Sequence, residues 1–255
     1  MSLISIIIPV FNREAFITSA IESLLFEKDV HLDIIVVDDG STDGTIDKIK
    51  LLQESHPHIR LISQDHGGVT KARNRGLKEV SEASQYISFL DSDDLNVPGR
   101  LKRQLKLLEA SPHMDCVIGL LQLFEKADET IFEVIPGSRT ITVPSVSLTT
   151  ILFKKSVFDQ LGIFNEDLTY GEDFDFYMRL MEAGTPYIKE DDPAVLYRRH
   201  SNNMTNDILP TRKGFMKALH LSIQRRRATG FKHDIGDLFK SRLEAEQLFH
   251  HDPSL

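Results

Sequence analysis

The chain has 255 residues, of which 41% are hydrophobic and 27% charged, a composition that is typical of a soluble globular protein and excludes a disordered or collagen-like chain. Its 30 basic and 38 acidic residues give a formal net charge of −8, which argues against a nucleic-acid partner because such proteins need a dominant basic face. The single cysteine, Cys116, excludes an intramolecular disulfide and favours a cytoplasmic location.

Apolar, β-branched runs alternate with helical patterns over the first 110 residues. We predict strands at residues 3–9, 34–37, 59–62 and 86–90. We predict helices at residues 14–26, from 42 or 43 onward, at 69–80 and at 100–109. This alternation predicts an α/β fold with a mostly parallel sheet and helices on both faces.

The pattern is less regular in the second half of the chain. We predict strands at residues 115–124 and 131–143, a strand and helix within 148–161, a helix at 172–183 and an extended segment up to 197. From residue 211 to the end the sequence is helical and charged.

Acidic residues follow two of the predicted strands. Asp38 and Asp39 follow the second strand, and Asp91 and Asp93 follow the fourth. Ligands of open α/β sheets bind outside the carboxyl ends of the strands, where Asp38 and Asp39 can accept hydrogen bonds from a base or a ribose. Two carboxylates one residue apart suit Mg²⁺ or Mn²⁺, which leave coordination positions for phosphates. An Asp-rich turn that caps the next helix is the alternative.

Gly67 and Gly68 precede the third predicted helix, which carries Lys71, Arg73 and Arg75. The amides at a helix start and nearby cations favour phosphate, so Lys71 and Arg73 are candidate substrate-binding residues. Lys71 and Arg75 share one helix face and Arg73 lies on another, so the three cannot contact one ligand together. Solvated surface charges are the other explanation.

Six blocks of sequence, in this order, resemble the family 2 glycosyltransferases. They are SIIIPVFNRE, VVDDGSTDGT, GGVTKARNRGL, FLDSDD, LFKKSVFDQLGIFNEDLTYGEDFDFYMRL and YRRHSNN, and they cover residues 5–200. The resemblance implies the GT-A fold, in which a Rossmann-like, mostly parallel nucleotide-binding sheet is flanked by helices. It further implies a catalytic domain over residues 1–205, with a nucleotide-binding half at 1–95 and an acceptor-side half at 96–205, followed by a helical extension at 206–255.

The resemblance also implies roles for individual residues. The substrate-binding positions are, in chain order, Pro9, Phe11, Asn12, Asp39, Arg73, Asp91 and Glu172. Of these, the first three border the nucleoside, and Glu172 binds hydroxyls of the acceptor or sugar. Asp93 would hold a divalent cation, Mn²⁺ or Mg²⁺, with His200 as a second candidate ligand. Asp173 would be the catalytic base.

The implied reaction transfers a sugar from a nucleotide-sugar donor, usually a UDP-sugar, to a hydroxyl group of a carbohydrate or lipid-linked acceptor, as in cell-surface polysaccharide or glycolipid synthesis. A sugar hydroxyl is a poor nucleophile, so a carboxylate must take its proton during attack. Attack opposite the leaving diphosphate gives inversion at the anomeric carbon. A metal that neutralises the diphosphate removes the need for an acid.

Two other functions remain open at this point. One is a nucleotide-sugar-binding subunit without turnover. The other is a Mg²⁺-dependent phosphohydrolase, which also places two aspartates after a strand, although its nucleophile follows the first strand and here the pair follows the fourth. The sequence defines neither the donor sugar, the acceptor nor the oligomeric state.

The segment after residue 211 is amphipathic and basic. A segment of this kind either packs on its own domain or touches an anionic membrane, here the inner face, where a lipid-linked acceptor resides. Packing is the commoner case.

Overall fold

The computed structural model describes residues 2–144, 147–200, 203 and 208–230. The strands are β1 (Leu3–Val10), β2 (His31–Asp38), β3 (Ile59–Ser63), β4 (Tyr86–Phe89), β5 (Leu95–Asn96), β6 (Cys116–Phe124), β7 (Ala127–Asp128), β8 (Glu133–Val134), β9 (Thr140–Pro144), β10 (Ile151–Lys154) and β11 (Tyr187–Arg198). The helices are α1 (Ile17–Leu25), α2 (Thr45–Ser55), α3 (Val69–Lys78), α4 (Arg100–Ala110), α5 (Ser156–Leu161), α6 (Glu172–Glu182) and α7 (Ile208–Thr229), with a short 3-10 helix at Leu148–Thr150.

A nine-stranded sheet forms the centre of the described chain. Its order is β3-β2-β1-β4-β10-β6-β11-β5, with β9 paired to β6, while β7 and β8 form a separate hairpin. The strands β3, β2, β1 and β4 are parallel, and β10 runs antiparallel to both β4 and β6. The predicted α/β class is confirmed, and the carboxyl ends of β1, β2 and β4 open at the same edge.

The strand β1 is covered on both faces, as its continuous apolar sequence predicts. Ile6 and Ile8 enter one core layer and Ile7 the other, because neighbouring side chains of a strand point to opposite faces. A Cβ atom at Gly76 would lie 2.4 Å from Ile7 Cγ2, so only glycine lets α3 approach β1 this closely. This contact fixes α3, and with it Arg73, against the sheet.

The prediction of one strand over residues 131–143 is wrong. The chain instead forms β8 and β9, separated by a turn. Phe132 has a φ of 56° and Gly137 a φ of 84°, both in the left-handed region that no strand can continue through. The other predicted strands and helices of the described chain are present, with ends shifted by a few residues. The strands β5, β7 and β8 are two residues long, too short to make a pattern.

The helix α7 packs along α6, so the packing expected for the basic tail is confirmed for the part that the structure describes. Arg225 of α7 pairs with Glu182 and Asp175 of α6 at 2.7 and 2.8 Å. The remainder of the predicted extension, residues 231–255, lies outside the described residues. No helix in the described ranges has the length and apolar character needed to cross a bilayer.

Candidate functional site

The loops at the carboxyl ends of β1, β2 and β4 meet the start of α6 and form one site. Four side chains, of which Arg73 and Glu172 are buried and the other two are partly exposed, make a part of it that we call the Arg73 cluster. They are Arg73, Asp91, Glu172 and Asp173. The guanidinium donates through Nη1 to Glu172 Oε1 at 2.5 Å and to Asp173 Oδ1 at 2.7 Å, and through Nη2 to Asp91 Oδ1 at 2.8 Å. One cation thus binds three carboxylates from two distant parts of the chain.

The electrostatics of the Arg73 cluster follow from its burial. The Arg73 side chain is only 3% exposed; this burial lowers its pKa, but the three carboxylates raise it more strongly, so the net shift is upward. Burial, together with the charge of Asp173, raises the pKa of Glu172 to about 8. Burial also raises the pKa of Asp91, and the charges of Asp173 and Asp93 add to this rise. Asp91 and Asp173 belong to one site because both accept hydrogen bonds from the same guanidinium.

The start of α6 explains how two acids reach this position. Gly171 has a φ of 87° and directly precedes Glu172 and Asp173 in the first helical turn, where negative charge is stabilised by the helix dipole. Gly214 of α7 lies against this turn, since a Cβ there would be 2.3 Å from the carbonyl oxygen of Tyr170. The helix α7 therefore supports the loop that carries both acids.

A second set of charged side chains lies at Asp93, and we call it the Asp93 group. His200 Nε2 and Arg13 Nε each lie 3.0 Å from Asp93 Oδ2. His200 also stacks on Phe16, with ring centroids 4.7 Å apart. The part of the chain that the structure describes contains no group of three or more His, Cys, Asp or Glu side chains that could hold a metal. Among the described residues, Asp93 and His200 are thus the two candidate ligands of a cation here, and a substrate could supply further ones.

Arg198 binds the turn that carries Asp93 and Asp94. Its backbone amide donates to Asp94 Oδ1 and its Nε to the carbonyl oxygen of Asp93, each at 2.9 Å. Asp94 Oδ2 is buried without a hydrogen-bond partner. Burial raises the pKa of Asp94 well above its usual value, and the charges of Asp93 and Asp91 add to this. Asp94 thus lies buried beneath the turn and is held there by Arg198.

The predicted nucleoside residues lie at the ends of β1 and β2. Asp39 is buried, and its oxygens accept hydrogen bonds at 2.7–2.8 Å from the Gln64 side chain and the amides of Gly67 and Gly68. Asp39 therefore orders the 64–68 loop. His66 of this loop stacks on the exposed ring of Phe11, with centroids 4.2 Å apart.

Asn12 and Pro9 have backbone roles in the structure. Asn12 Oδ1 accepts a hydrogen bond from Thr42 N at 2.8 Å, and Asn12 has a φ of 49°, which asparagine tolerates better than most residues. Pro9 is buried within β1 beside Val37. These contacts join the loop after β1 to the loop after β2.

The structure brings most of the predicted site residues together but not Lys71. Lys71 is exposed and its Cδ lies over Gly67, whereas Arg73 points into the site and Arg75 pairs with Glu79 at 2.9 Å. This separation follows from the helical spacing of the three residues.

The sequence analysis did not identify several residues that contact the site, among them Arg13, His66 and Arg198. Arg13 directly follows Asn12 at the end of a predicted strand, and this position was a usable signal. His66 and Arg198 had no sequence signal. The stacking of His66 on Phe11 and the binding of Arg198 to backbone depend on tertiary contacts.

Comparison with known proteins identifies relatives of this chain. The model of glycosyl transferase family 2 matches residues 5–162. An uncharacterized glycosyltransferase of Rickettsia typhi is 28% identical over 219 residues, which are 81% of this chain and 67% of that protein. The chondroitin synthase of Pasteurella multocida is 26% identical over 243 residues, 91% of this chain and 24% of that protein. A glycosyltransferase of Rickettsia felis aligns with this chain over only 36% of its own length.

Two solved structures share the fold. S. aureus TarS in complex with UDP-GlcNAc has a TM-score of 0.68 and 23% sequence identity, over 87% of this chain and 65% of that chain. The mannosyltransferase PcManGT of Pyrobaculum calidifontis, in complex with GDP-Man and Mn²⁺, has a TM-score of 0.67 and 19% sequence identity. The match covers 97% of this chain and 70% of that chain. The likeness confirms the expected GT-A fold.

Proposed function

Because the chain belongs to glycosyltransferase family 2, we propose that it transfers a sugar from a nucleotide-sugar donor to a hydroxyl group, with inversion and with the help of a divalent cation. The observation that carries this proposal is the proximity of the Arg73 cluster to the Asp93 group. The first contains a carboxylate suited to proton transfer, and the second contains side chains suited to a diphosphate. The two are connected by the single turn from Asp91 to Asp93.

In this proposal Asp173 is the base. Arg73 orients the carboxylate of Asp173 through Oδ1, and Oδ2 takes the proton of the acceptor hydroxyl as it attacks the anomeric carbon. Glu172 is unsuited to this step because its pKa of about 8 keeps it protonated at neutral pH. Protonated Glu172 instead donates a hydrogen bond to a sugar or acceptor hydroxyl.

The donor lies in this proposal along the ends of β1, β2 and β4. Phe11 is exposed and stacks on His66, so its ring offers a surface on which a nucleobase can stack. Asp39 fixes the loop at one side of this surface, and Asp91 is placed to accept hydrogen bonds from ribose or sugar hydroxyls. We take a UDP-sugar as the donor, since UDP-GlcNAc is bound in the similar TarS structure.

The Asp93 group fits a divalent cation such as Mn²⁺ or Mg²⁺. Asp93 and His200 would hold such a cation, since a carboxylate and an imidazole are both metal ligands and Asp93 Oδ2 and His200 Nε2 lie 3.0 Å apart. When bound, such a cation neutralises the charge that builds on the departing diphosphate. Arg13 adds a fixed positive charge beside the same carboxylate, which attracts phosphate oxygens.

The acceptor in this proposal is a carbohydrate, either free or linked to a lipid. The name of one relative, chondroitin synthase, supports a carbohydrate acceptor and a role in cell-surface polysaccharide synthesis. Attack by the acceptor hydroxyl from the side of Asp173, opposite the diphosphate at Asp93, gives inversion.

The proposal is tested with a panel of nucleotide sugars, sugar acceptors and Mn²⁺, with release of the nucleoside diphosphate as the signal. We expect turnover with one donor and a loss of about 10²- to 10⁴-fold in Asp173→Asn, which keeps the shape of the side chain but cannot accept the proton. Asp159→Asn, an exposed change on α5, is the control and keeps full activity. Nuclear magnetic resonance of the product reports its anomeric configuration.

Three results contradict the proposal. Donor binding without turnover on any acceptor indicates a binding subunit, and phosphate release from simple phosphomonoesters indicates a phosphohydrolase. If Asp173→Asn is as active as the native protein, Asp173 is not the base.

A further inference from the structure

The outer face of α7 exposes a row of large apolar side chains. Leu209 is 70% exposed, Met216 is 59% exposed and Ile223 is 38% exposed. They are seven residues apart, which is close to two helical turns, so they form one stripe along the helix. Large exposed apolar side chains in a row are unusual on a free surface and indicate an interaction site.

The opposite face of α7 is fully engaged with the catalytic domain. Gly214, Ala218 and Ser222 are buried there, and Ser222 Oγ donates to Glu182 Oε1. Arg225 anchors the end of the helix to Glu182 and Asp175. The helix therefore has a defined orientation, and the apolar stripe points away from the domain.

The charge of α7 is opposite to that of the chain as a whole. Its 22 residues contain six basic side chains and no acidic one, although the whole chain has a net charge of −8. At about 100° per residue, Lys213 and Arg212 lie on the two sides of the apolar stripe and Arg227 lies at its end. All three are exposed.

A stripe of apolar side chains flanked by basic ones matches the surface of an anionic membrane. The apolar side chains enter the boundary between headgroups and acyl chains, and the basic side chains bind the anionic headgroups. A second copy of the chain is a poorer partner, because two such helices would place their positive charges against each other. We propose that the outer face of α7 docks the enzyme on an anionic lipid surface, with the catalytic domain held above it.

Vesicle co-sedimentation of the full chain tests this proposal. We expect binding to vesicles of phosphatidylcholine and phosphatidylglycerol in equal parts at low salt, weaker binding at higher salt, and none to phosphatidylcholine alone. Arg212→Gln combined with Lys213→Gln removes two charges and is expected to weaken binding about thirtyfold, at about fivefold per charge. Leu209→Glu combined with Met216→Glu is expected to abolish binding.

A matched control separates these effects from a general change in surface character. Leu51 on α2 is 64% exposed and lies outside α7, so Leu51→Glu is expected to leave vesicle binding unchanged. All variants keep transfer to a water-soluble acceptor, because none of the substituted residues contacts the Arg73 cluster or the Asp93 group. Retained activity shows that a loss of binding does not come from unfolding.

Several results would overturn the proposal. They are no binding to phosphatidylglycerol vesicles at low salt, binding that the α7 variants leave unchanged, and light scattering that shows a dimer disrupted by Leu209→Glu with Met216→Glu. Each of these leaves the proposed transfer reaction standing, since that reaction is measured without a membrane.

Discussion

Asp91 and Asp93 belong to one turn and are only two residues apart, yet they face different cations. Asp91 pairs with Arg73, a buried guanidinium that already binds two acids of α6. Asp93 contacts His200 and Arg13, which come from the carboxyl-terminal side of β11 and the loop after β1.

This difference shows how one acidic motif can serve two purposes. The partner of Asp91 is permanent, because a guanidinium stays charged at every physiological pH and Arg73 is buried. One partner of Asp93 differs in kind, because the imidazole of His200 can also coordinate a metal ion. We therefore assign the Arg73 cluster to fixed alignment of the acids and the Asp93 group to reversible binding of a cation and a diphosphate.

The largest effect is expected when the permanent cation is removed. Arg73→Met leaves the acidic side chains of Asp91, Glu172 and Asp173 without their shared cation, and breaking a buried ion pair in this way costs about 3–5 kcal/mol of unfolding free energy. Urea denaturation measures this. Arg75→Met, on the same helix but exposed, is the control and is expected to change stability by less than about 0.5 kcal/mol. Equal stability of the two variants would show that the Arg73 cluster does not hold the fold together.

A smaller effect is expected at the Asp93 group. His200→Ala removes one proposed ligand, and Mn²⁺ affinity in the presence of UDP is expected to fall about 10- to 100-fold, since loss of a group that holds or orients a metal typically has this size. Isothermal titration calorimetry measures the affinity. His113→Ala, a change at an exposed histidine, serves as the control. If both variants bind Mn²⁺ equally well, His200 serves only the structure.

The third effect concerns pH, and it is the smallest of the three when it is taken per pH unit. The pKa of Glu172 rises on folding from its ordinary 4.5 to about 8, so the folded state holds a proton that the unfolded state releases. This group therefore stabilises the protein fully below pH 4.5, and the contribution is lost as pH rises through about 8, with a slope of at most about 1.4 kcal/mol per pH unit.

Glu172→Gln removes this titration and is expected to flatten the stability profile between these two values. Denaturation at a series of pH values compares it with Glu79→Gln, which pairs with Arg75 at the surface. A Glu172→Gln profile as steep as that of Glu79→Gln would mean that Glu172 is ionised in the folded protein.

The sequence predicted the amino-terminal half of the fold better than the other half. The strands β1, β2 and β4 consist of short apolar runs that are covered on both faces, and such runs have few alternative structures. The segment 131–143 is apolar and alternating as well, but Phe132 and Gly137 turn the backbone away from a strand. The turn at Phe132 has no sequence signal, whereas Pro136 and Gly137 are a turn signal between β8 and β9 that the prediction did not use.

The sequence also predicted only part of the candidate site. The acids after β2 and β4 could be placed at the sheet edge from the order of the elements alone. The contact of Arg73 with Glu172 joins residues 99 positions apart, and the spacing along α3 could only show that Arg73 lies on a different face from Lys71. The shared cation at the centre of the site therefore required the structure.

A crystal structure of the complex with UDP and Mn²⁺ would show where the cation and the diphosphate lie. We expect a metal ion bound to Asp93, to His200 and to oxygens of the diphosphate, with the carboxylate of Asp173 facing the same hollow from the side of α6. A diphosphate bound elsewhere, or Asp93 and Asp173 on separate surfaces when the nucleotide is bound, would contradict this expectation.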